Sequence, residues 1–269
     1  MRPIPHVFLL NTPHIELLPA ACVRPRANRD ARVLALSDWL LRRKRDGRFL
    51  AGINALGVHP LVTHLPREPG IQPALAALDD VVAARAPASL FDHPLPLEGL
   101  QHRLERLDLD ADAYAARTGL AWVPEPGLLH HAGRDRFARP LWLRRPAAQA
   151  WRRMRLHAAR DGIALDAISG YRSHDYQLGI VERKLARGQR LQDILRVNAA
   201  PGFSEHHSGL ALDIGTPGDP PAEAGFEHTD AHAWLQSHAG THGFRLSYPR
   251  DNPHGIVHEP WHWCWNAPG

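Results

Sequence analysis

Between Asn28 and Asp46 the apolar residues Val33, Leu34, Leu36, Trp39, Leu40 and Leu41 recur at the spacing of one helix face, and Gly47 is a plausible stop. Pro73 to Arg85 is rich in alanine and predicts a second helix; Pro94 to Leu107 predicts a third, shorter one. Residues 1–28 hold several prolines and little periodicity, which predicts irregular chain or a short strand, and residues 48–70 are mixed, with turn residues at Pro60, Pro66, Pro69 and Gly70. After Asp108 the pattern changes. Ala111 to Arg117 predicts a short helix ending at Gly119, and Leu120 to Val123 looks strand-like. Pro146 to Asp161 is a strong helix signal, with Ala147, Ala148, Ala150, Trp151, Met154 and Leu156 on one face and Gly162 at its stop. A strand over Leu165–Ser169 and helices over Tyr176–Arg187 and Leu191–Val197 follow. Gly209 to Ile214 alternates as a strand would, and Thr229 to Ala239 is helical with Thr229 or Asp230 placed to cap it. Phe244–Tyr248 and Ile256–Trp265 read as the last two strands. Short strands with segregated helices predict an α+β fold. We expect a small antiparallel sheet with flanking helices over residues 109–269, preceded by a mostly helical region over residues 1–108.

Composition narrows the function classes. Of 269 residues, 44% are hydrophobic and 22% charged, which suits a folded chain with a real core. The net charge is +4 and the pI about 9.5, yet the arginines are scattered. The longest basic cluster, Arg42 to Arg45, falls at the polar end of the first expected helix. No basic stripe carries aromatics for stacking bases, so a nucleic-acid partner is not expected; a substrate with carboxylates fits the charge. No apolar run is long enough for a membrane span. The apolar patch in Met1 to Pro13 is too short and too broken by proline for a secretory signal, so a cytoplasmic location is expected. Two cysteines, Cys22 and Cys264, exclude a disulfide-rich scaffold and leave a single bridge open. With 19 histidines, no single one carries weight without its context.

Three segments concentrate polar residues in apolar surroundings: Ser204 to Asp213, Glu259-Pro260-Trp261-His262, and Ser169 to Ser173. A catalytic zinc site needs three imidazole or carboxylate ligands, an open position, and a general base beside it but off the metal. His206, Asp213 and His262 meet the first need, and Glu259 the last. Asp213, at the polar position of an apolar strand, is costly unless a cation pairs with it. The Glu259-x-x-His262 spacing puts both side chains on one site only if Pro260 bends the chain, because positions three apart on a regular strand face opposite ways. The residues alone leave open whether His207, His254 or His258 replaces a ligand, and whether Cys264 closes the site as a fourth ligand.

The ordered set resembles the D-alanyl-D-alanine carboxypeptidases of the VanY type. Ser204-x-His206-x-x-Gly209-x-Ala211-x-Asp213 and Glu259-x-Trp261-His262 carry the resemblance, with Ser169-Gly170-Tyr171-Arg172-Ser173 and Gln177, Trp234-Leu235, Gly243-Phe244 and Tyr248-Pro249 in register. It covers roughly residues 111–265, and residues 1–108 take no part. The resemblance implies a zinc peptidase with His206, Asp213 and His262 on the metal, Glu259 as general base and Arg172 gripping the scissile carbonyl or a substrate carboxylate. It implies Gln177, Ser204, Tyr171 and Trp261 at the substrate pocket. The implied substrate is a peptidoglycan-derived peptide losing a C-terminal D-amino acid, D,D or L,D, with a dipeptidase, an endolysin and a non-catalytic zinc module as alternatives.

Overall fold

The structure, a computed structural model, describes residues 7–24, 28–83, 93–97 and 99–266. The chain opens with strands β1 (Phe8–Asn11) and β2 (Ile15–Pro19), helix α1 (Asn28–Leu36), and strands β3 (Trp39–Arg43), β4 (Phe49–Asn54) and β5 (Gly57–Pro60). Helices α2 (Ile71–Ala83), α3 (Leu100–Glu105) and α4 (Ala111–Thr118) follow, then strands β6 (Leu128–Arg134) and β7 (Pro140–Leu143). The rest runs α5 (Arg145–Arg160), β8 (Asp166–Ser169), α6 (His174–Leu185), α7 (Leu191–Leu195), β9 (Ala211–Gly215), α8 (Asp230–His238), β10 (Phe244–Leu246) and β11 (His262–Trp265). The strands form two antiparallel sheets, ordered β5-β4-β3-β2-β1-β6-β7 and β10-β11-β9-β8. The α+β class expected from the sequence is the one adopted.

The N-terminal region carries strands beside its helices, where the apolar spacing predicts helices. Only the first half of the helix expected over residues 28–46 forms; residues 39–43 are β3. Asp38 makes the break. Its N–H donates to the Ile53 carbonyl at 2.8 Å, and its own carbonyl accepts from Ala20 at 2.9 Å. Beyond it, β3 pairs with β2 on one side and β4 on the other. Leu40 packs with Leu9, Leu18, Leu129 and Trp142, whereas Leu41 packs with Leu10, Ile15, Leu17 and Leu50. Both faces of this sheet are covered, so the strand shows an apolar run rather than an alternation. The cluster Arg42 to Arg45 accordingly lies at the end of β3 and the turn into β4, not at a helix end. Pairing of Leu10 in β1 with Leu128 in β6 carries the sheet across residue 108.

The second half follows its pattern more closely. Helix α5 has Pro146 in its first turn and buries Ala147, Ala150, Trp151 and Met154 against Leu212 and Ile214 of β9, Trp234 and Leu235 of α8, and Trp263 of β11. Leu156, expected on that face, is 64% exposed instead. The Asp110 carboxylate caps α4 by accepting from the Ala113 N–H, and Gly119 ends it at φ +64°. Thr229 caps α8 by accepting from the His232 N–H. Residues 120–123 form no strand; the Val123 N–H is bound instead by the Gly202 carbonyl at 2.8 Å. Ala84 and Arg85, at the end of the helix expected from Pro73, and the first six residues of the stretch weighed as a signal lie outside the described residues. Cys22 and Cys264 are free and buried. No helix among the described residues is long and apolar enough to cross a membrane.

Candidate active site

Asp213 stands at the middle of β9, one of the two inner strands of the smaller sheet. Its neighbours Leu212 and Ile214 point into the core, so by the two-residue period Asp213 points away from it. Directly opposite in register are His262 of β11 and Ser169 of β8. Ser169 follows a register shift in β8 and leads into Gly170 and Arg172. His206 arrives from a short 3₁₀ turn, Glu205–Ser208, just before β9. The donor atoms of His206, Asp213 and His262 lie within 4.8 Å of one another, and all three residues are buried.

Each imidazole is oriented by its other nitrogen. His206 Nδ1 donates to the Gly170 carbonyl at 2.7 Å, which leaves Nε2 unprotonated and 3.2 Å from Asp213 Oδ1. His262 Nε2 lies 2.9 Å from Glu205 Oε2, which leaves Nδ1 facing Asp213 Oδ1 at 3.1 Å. An acceptor behind each histidine, aiming its other nitrogen at a shared point, is the arrangement that metal sites use to fix orientation. The sequence reading did not single out Glu205 as a site residue. The available signal was a carboxylate directly beside a candidate ligand at the entry to a buried strand.

The electrostatics ask for a cation. Asp213 pairs directly with the two imidazoles, and the Arg172 charge acts on it from farther off. Burial resists its charge, yet His206 and His262 hold the carboxyl far below its usual range. Burial and the Arg172 charge push His206 down to about 4, so its lone pair is available at neutral pH. Burial opposes a charge on His262, but Asp213 and Glu205 outweigh it and lift it to about 10. His206 offers its lone pair directly and His262 would offer one once a metal displaces its proton; with the buried carboxylate oxygen converging on the same point, they form a donor set that suits a zinc ion.

Glu259 sits beside this trio, with Oε2 3.9 Å from His262 Nδ1. Its position depends on Pro260. The His262 N–H donates to the Glu259 carbonyl at 3.1 Å, so Pro260 and Trp261 form the corner of a tight turn just before β11. Proline's fixed φ suits the first corner position. The turn brings two side chains three residues apart to one site, which a straight strand would not do. Burial and the Asp213 charge raise the Glu259 carboxyl to about 7 although His262 opposes them.

Arg172 is held by its backbone. Its N–H donates to the His206 carbonyl at 3.2 Å, and its carbonyl accepts from His207 Nδ1 at 2.7 Å. Its Nε is buried without a hydrogen-bond partner. The remaining expected pocket residues divide. Ser204 precedes the 3₁₀ turn and is buried. Trp261 occupies the turn beside Glu259 and packs on the core. Gln177 is fully buried, its Nε2 bound by the Ala199 carbonyl and its Oε1 without a partner. The Tyr171 hydroxyl is turned to Glu125 and Asn11, with Asn11 Nδ2 at 2.8 Å.

The alternative ligands are engaged elsewhere. Both His207 nitrogens are bound, by the Arg172 carbonyl and the Gly202 N–H. His254 Nδ1 reaches the Thr118 carbonyl and His258 Nδ1 the Tyr248 carbonyl. Burial and Glu205 push the Cys264 thiol up to about 12, and its sulfur is not among the donors that converge at the site.

Gly209 ends the 3₁₀ turn at φ +68°, and a Cβ there would meet Leu129 Cδ2 at 2.6 Å and the Arg144 backbone nitrogen at 3.2 Å. Gly209→Ala is therefore expected to cost about 2 kcal/mol or more, from the left-handed backbone and the overlap together. Urea unfolding measures it, and a change under 0.5 kcal/mol contradicts it, since about that much is lost at unremarkable surface sites.

Residues 140–268 match the VanY family, described as D-alanyl-D-alanine carboxypeptidase. YodJ of Bacillus subtilis (strain 168) is 36% identical over 131 residues, 45% of this chain and 45% of that protein. A D-alanyl-D-alanine carboxypeptidase of Enterococcus faecium is 32% identical over 126 residues, 45% of this chain and 37% of that one. The matched segment thus spans less than half the length of either relative. Among solved structures, a vancomycin-resistance D,D-pentapeptidase VanY in complex with Zn(II) is 26% identical over 46% of this chain and 73% of that one, with a TM-score of 0.40. His206, Asp213, Glu259 and His262 all fall within residues 140–268, the segment of this chain that is similar to the VanY family.

Proposed function

We propose that the protein is a zinc-dependent carboxypeptidase that removes a C-terminal D-amino acid, D-alanine first of all, from peptidoglycan stem peptides. The observation that carries this is the convergence of His206, Asp213 and His262 with Glu259 beside them. In this reading residues 109–269 are the peptidase unit, since every residue given a role lies there, and residues 1–108 are accessory. His206, Asp213 and His262 hold the metal, with Glu205 and the Gly170 carbonyl orienting the two imidazoles. A zinc ion there would polarise the scissile carbonyl and make water a better nucleophile.

The chain's own groups do the rest. Glu259 takes a proton from the attacking water and delivers it to the leaving amine. A carboxyl raised by burial is suited to both halves of that transfer near neutral pH, and a bound dication would lower it enough to keep it basic. Arg172 offers a planar fork of donors, one of them unpartnered, to the developing oxyanion or the terminal carboxylate. Gln177, Ser204, Tyr171 and Trp261 shape the pocket around them, Tyr171 by fixing the loop that carries Arg172.

The test uses zinc-loaded protein with defined tri-, tetra- and pentapeptide muropeptides and free D-Ala-D-Ala, following D-alanine by mass spectrometry. Release from the pentapeptide marks D,D specificity, and release from the tetrapeptide L,D specificity. Release from none of them overturns the proposal. Dialysis against a chelator is expected to lower the rate to background, and one equivalent of zinc to restore it. A rate that survives metal removal contradicts the assignment of the donor set.

A further inference from the structure

A cleft of 920 Å³ lies apart from the three metal-site donors. It opens between the N-terminal sheet and the peptidase half, with Arg24, Arg42, Arg45 and Arg48 on the first side and Arg139, Arg172 and Arg183 on the second. Arg172 is thus shared between the cleft and the surroundings of His206 and Glu259, whose acidities both feel its charge.

The carboxylates of the cleft are already matched. Glu16 pairs with Arg42 at 2.6 Å, Asp46 with Arg43 at 2.5 Å, Asp135 with Arg139 at 2.6 Å and Asp175 with Arg103 at 2.6 Å. Lys44, which also lines the cleft, is taken by Glu125 at 2.5 Å. No ion pair with a carboxylate is found for Arg24, Arg45, Arg48 or Arg172 among the described residues, and Arg183 lies over the Tyr176 ring. The unmatched charge is therefore all of one sign. It comes from four separate places in the fold: the segment after β2, the β3–β4 turn, the loop after β8, and α6. Charges spread along a cleft of this volume suit an extended ligand with several separated anionic groups rather than one compact anion. Nor is the arginine in contact with both regions saturated, since Arg172 Nε is buried and bare.

We propose that this cleft receives the part of the peptide substrate upstream of the scissile bond and selects for side-chain carboxylates there. The inference rests on the carboxypeptidase reading for the direction of the peptide. It gives the N-terminal region a role in substrate choice, through the β3–β4 turn that carries Arg45 and Arg48, both exposed.

The experiment compares two peptides ending in D-Ala-D-Ala that differ only in carrying two upstream glutamates or two glutamines. Wild-type protein is expected to show a KM about tenfold lower for the glutamate peptide, equivalent to about 1.4 kcal/mol. Raising the salt concentration is expected to erode that preference. In the double variant Arg45→Gln/Arg48→Gln the ratio of the two KM values is expected to move toward one, with thermal melting as the check on folding. Equal handling of both peptides by the wild type, or a ratio the double variant leaves alone, overturns the proposal. If neither peptide is cleaved, the carboxypeptidase reading fails. Fluorescence anisotropy with the same labelled peptides then decides the cleft alone: tighter binding of the glutamate peptide, weakened in the double variant, supports it, and equal binding sinks it.

Discussion

Glu259→Gln is expected to lower kcat by about 10²- to 10⁴-fold, the usual contribution of a positioned general base, while the metal stays bound. The separation of these two readouts follows from the geometry. Glu259 Oε2 lies 3.9 Å from His262 Nδ1, beside the donor trio rather than within it. The glutamine keeps the volume and the turn around Pro260 but cannot accept a proton. Zinc stoichiometry by calorimetry is expected to remain near one per chain, and KM to change much less than kcat. His206→Ala is the contrasting variant, for which metal affinity itself should fall. Wild-type kcat in metal-replete Glu259→Gln would remove Glu259 from the mechanism and leave the buried carboxyl without an assigned task.

Much of this site was legible because its chemistry is local. His206, Asp213, Glu259 and His262 fall in segments where charged groups interrupt apolar sequence, and such interruptions need a reason. Helix α5 was legible because it has one buried face and one dominant period, and β9 because a lone carboxylate alternates with apolar residues in it. Two things were not. The first is Glu205, whose role is to hold His262 from behind, a relation between a 3₁₀ turn and a strand 57 residues away. The second is the larger sheet. Strands β2 and β3 are covered on both faces, so their sequences show apolar runs without alternation, and β3 continues the apolar spacing of α1. Only Ser37 and Asp38 mark the boundary, by turn chemistry that a helix period overrides. The effect of Pro260 was legible as a requirement, and the 259–262 turn shows how it is met.

A buried ion pair is among the contacts that join the larger sheet to the site, and the second large effect is expected there. Lys44, from the β3–β4 turn, lies 2.5 Å from Glu125, with side-chain exposures of 1% and 6%. Lys44 also donates to the Thr12 carbonyl at 2.8 Å. Glu125 accepts from Asn11 at 3.1 Å, from the His174 N–H at 2.8 Å and from the Tyr171 hydroxyl. Tyr171 and His174 bracket the loop that carries Arg172. Lys44→Met leaves a buried carboxylate without its cation, and such a break costs about 3–5 kcal/mol. Lys44→Met/Glu125→Gln removes both charges and is expected to recover much of that loss while keeping the hydrogen bonds that a neutral amide can make. pH separates the two cases further. Burial opposes the Glu125 charge, but Lys44 and His174 outweigh burial and hold the carboxyl well below its usual range. A carboxyl lowered on folding contributes stability above its unfolded value, about 4.3, and loses that contribution as the pH falls toward the folded value. In Lys44→Met the main opposing charge is gone, burial dominates, and the carboxyl takes a proton more readily. Urea unfolding is therefore expected to show the wild type and Lys44→Met furthest apart near neutral pH and converging below about pH 4. A gap under 1 kcal/mol at neutral pH, or one that does not narrow on acidification, would mean that the ion pair is not what ties the N-terminal sheet to the arginine loop, since a buried pair is worth several-fold more than that when broken.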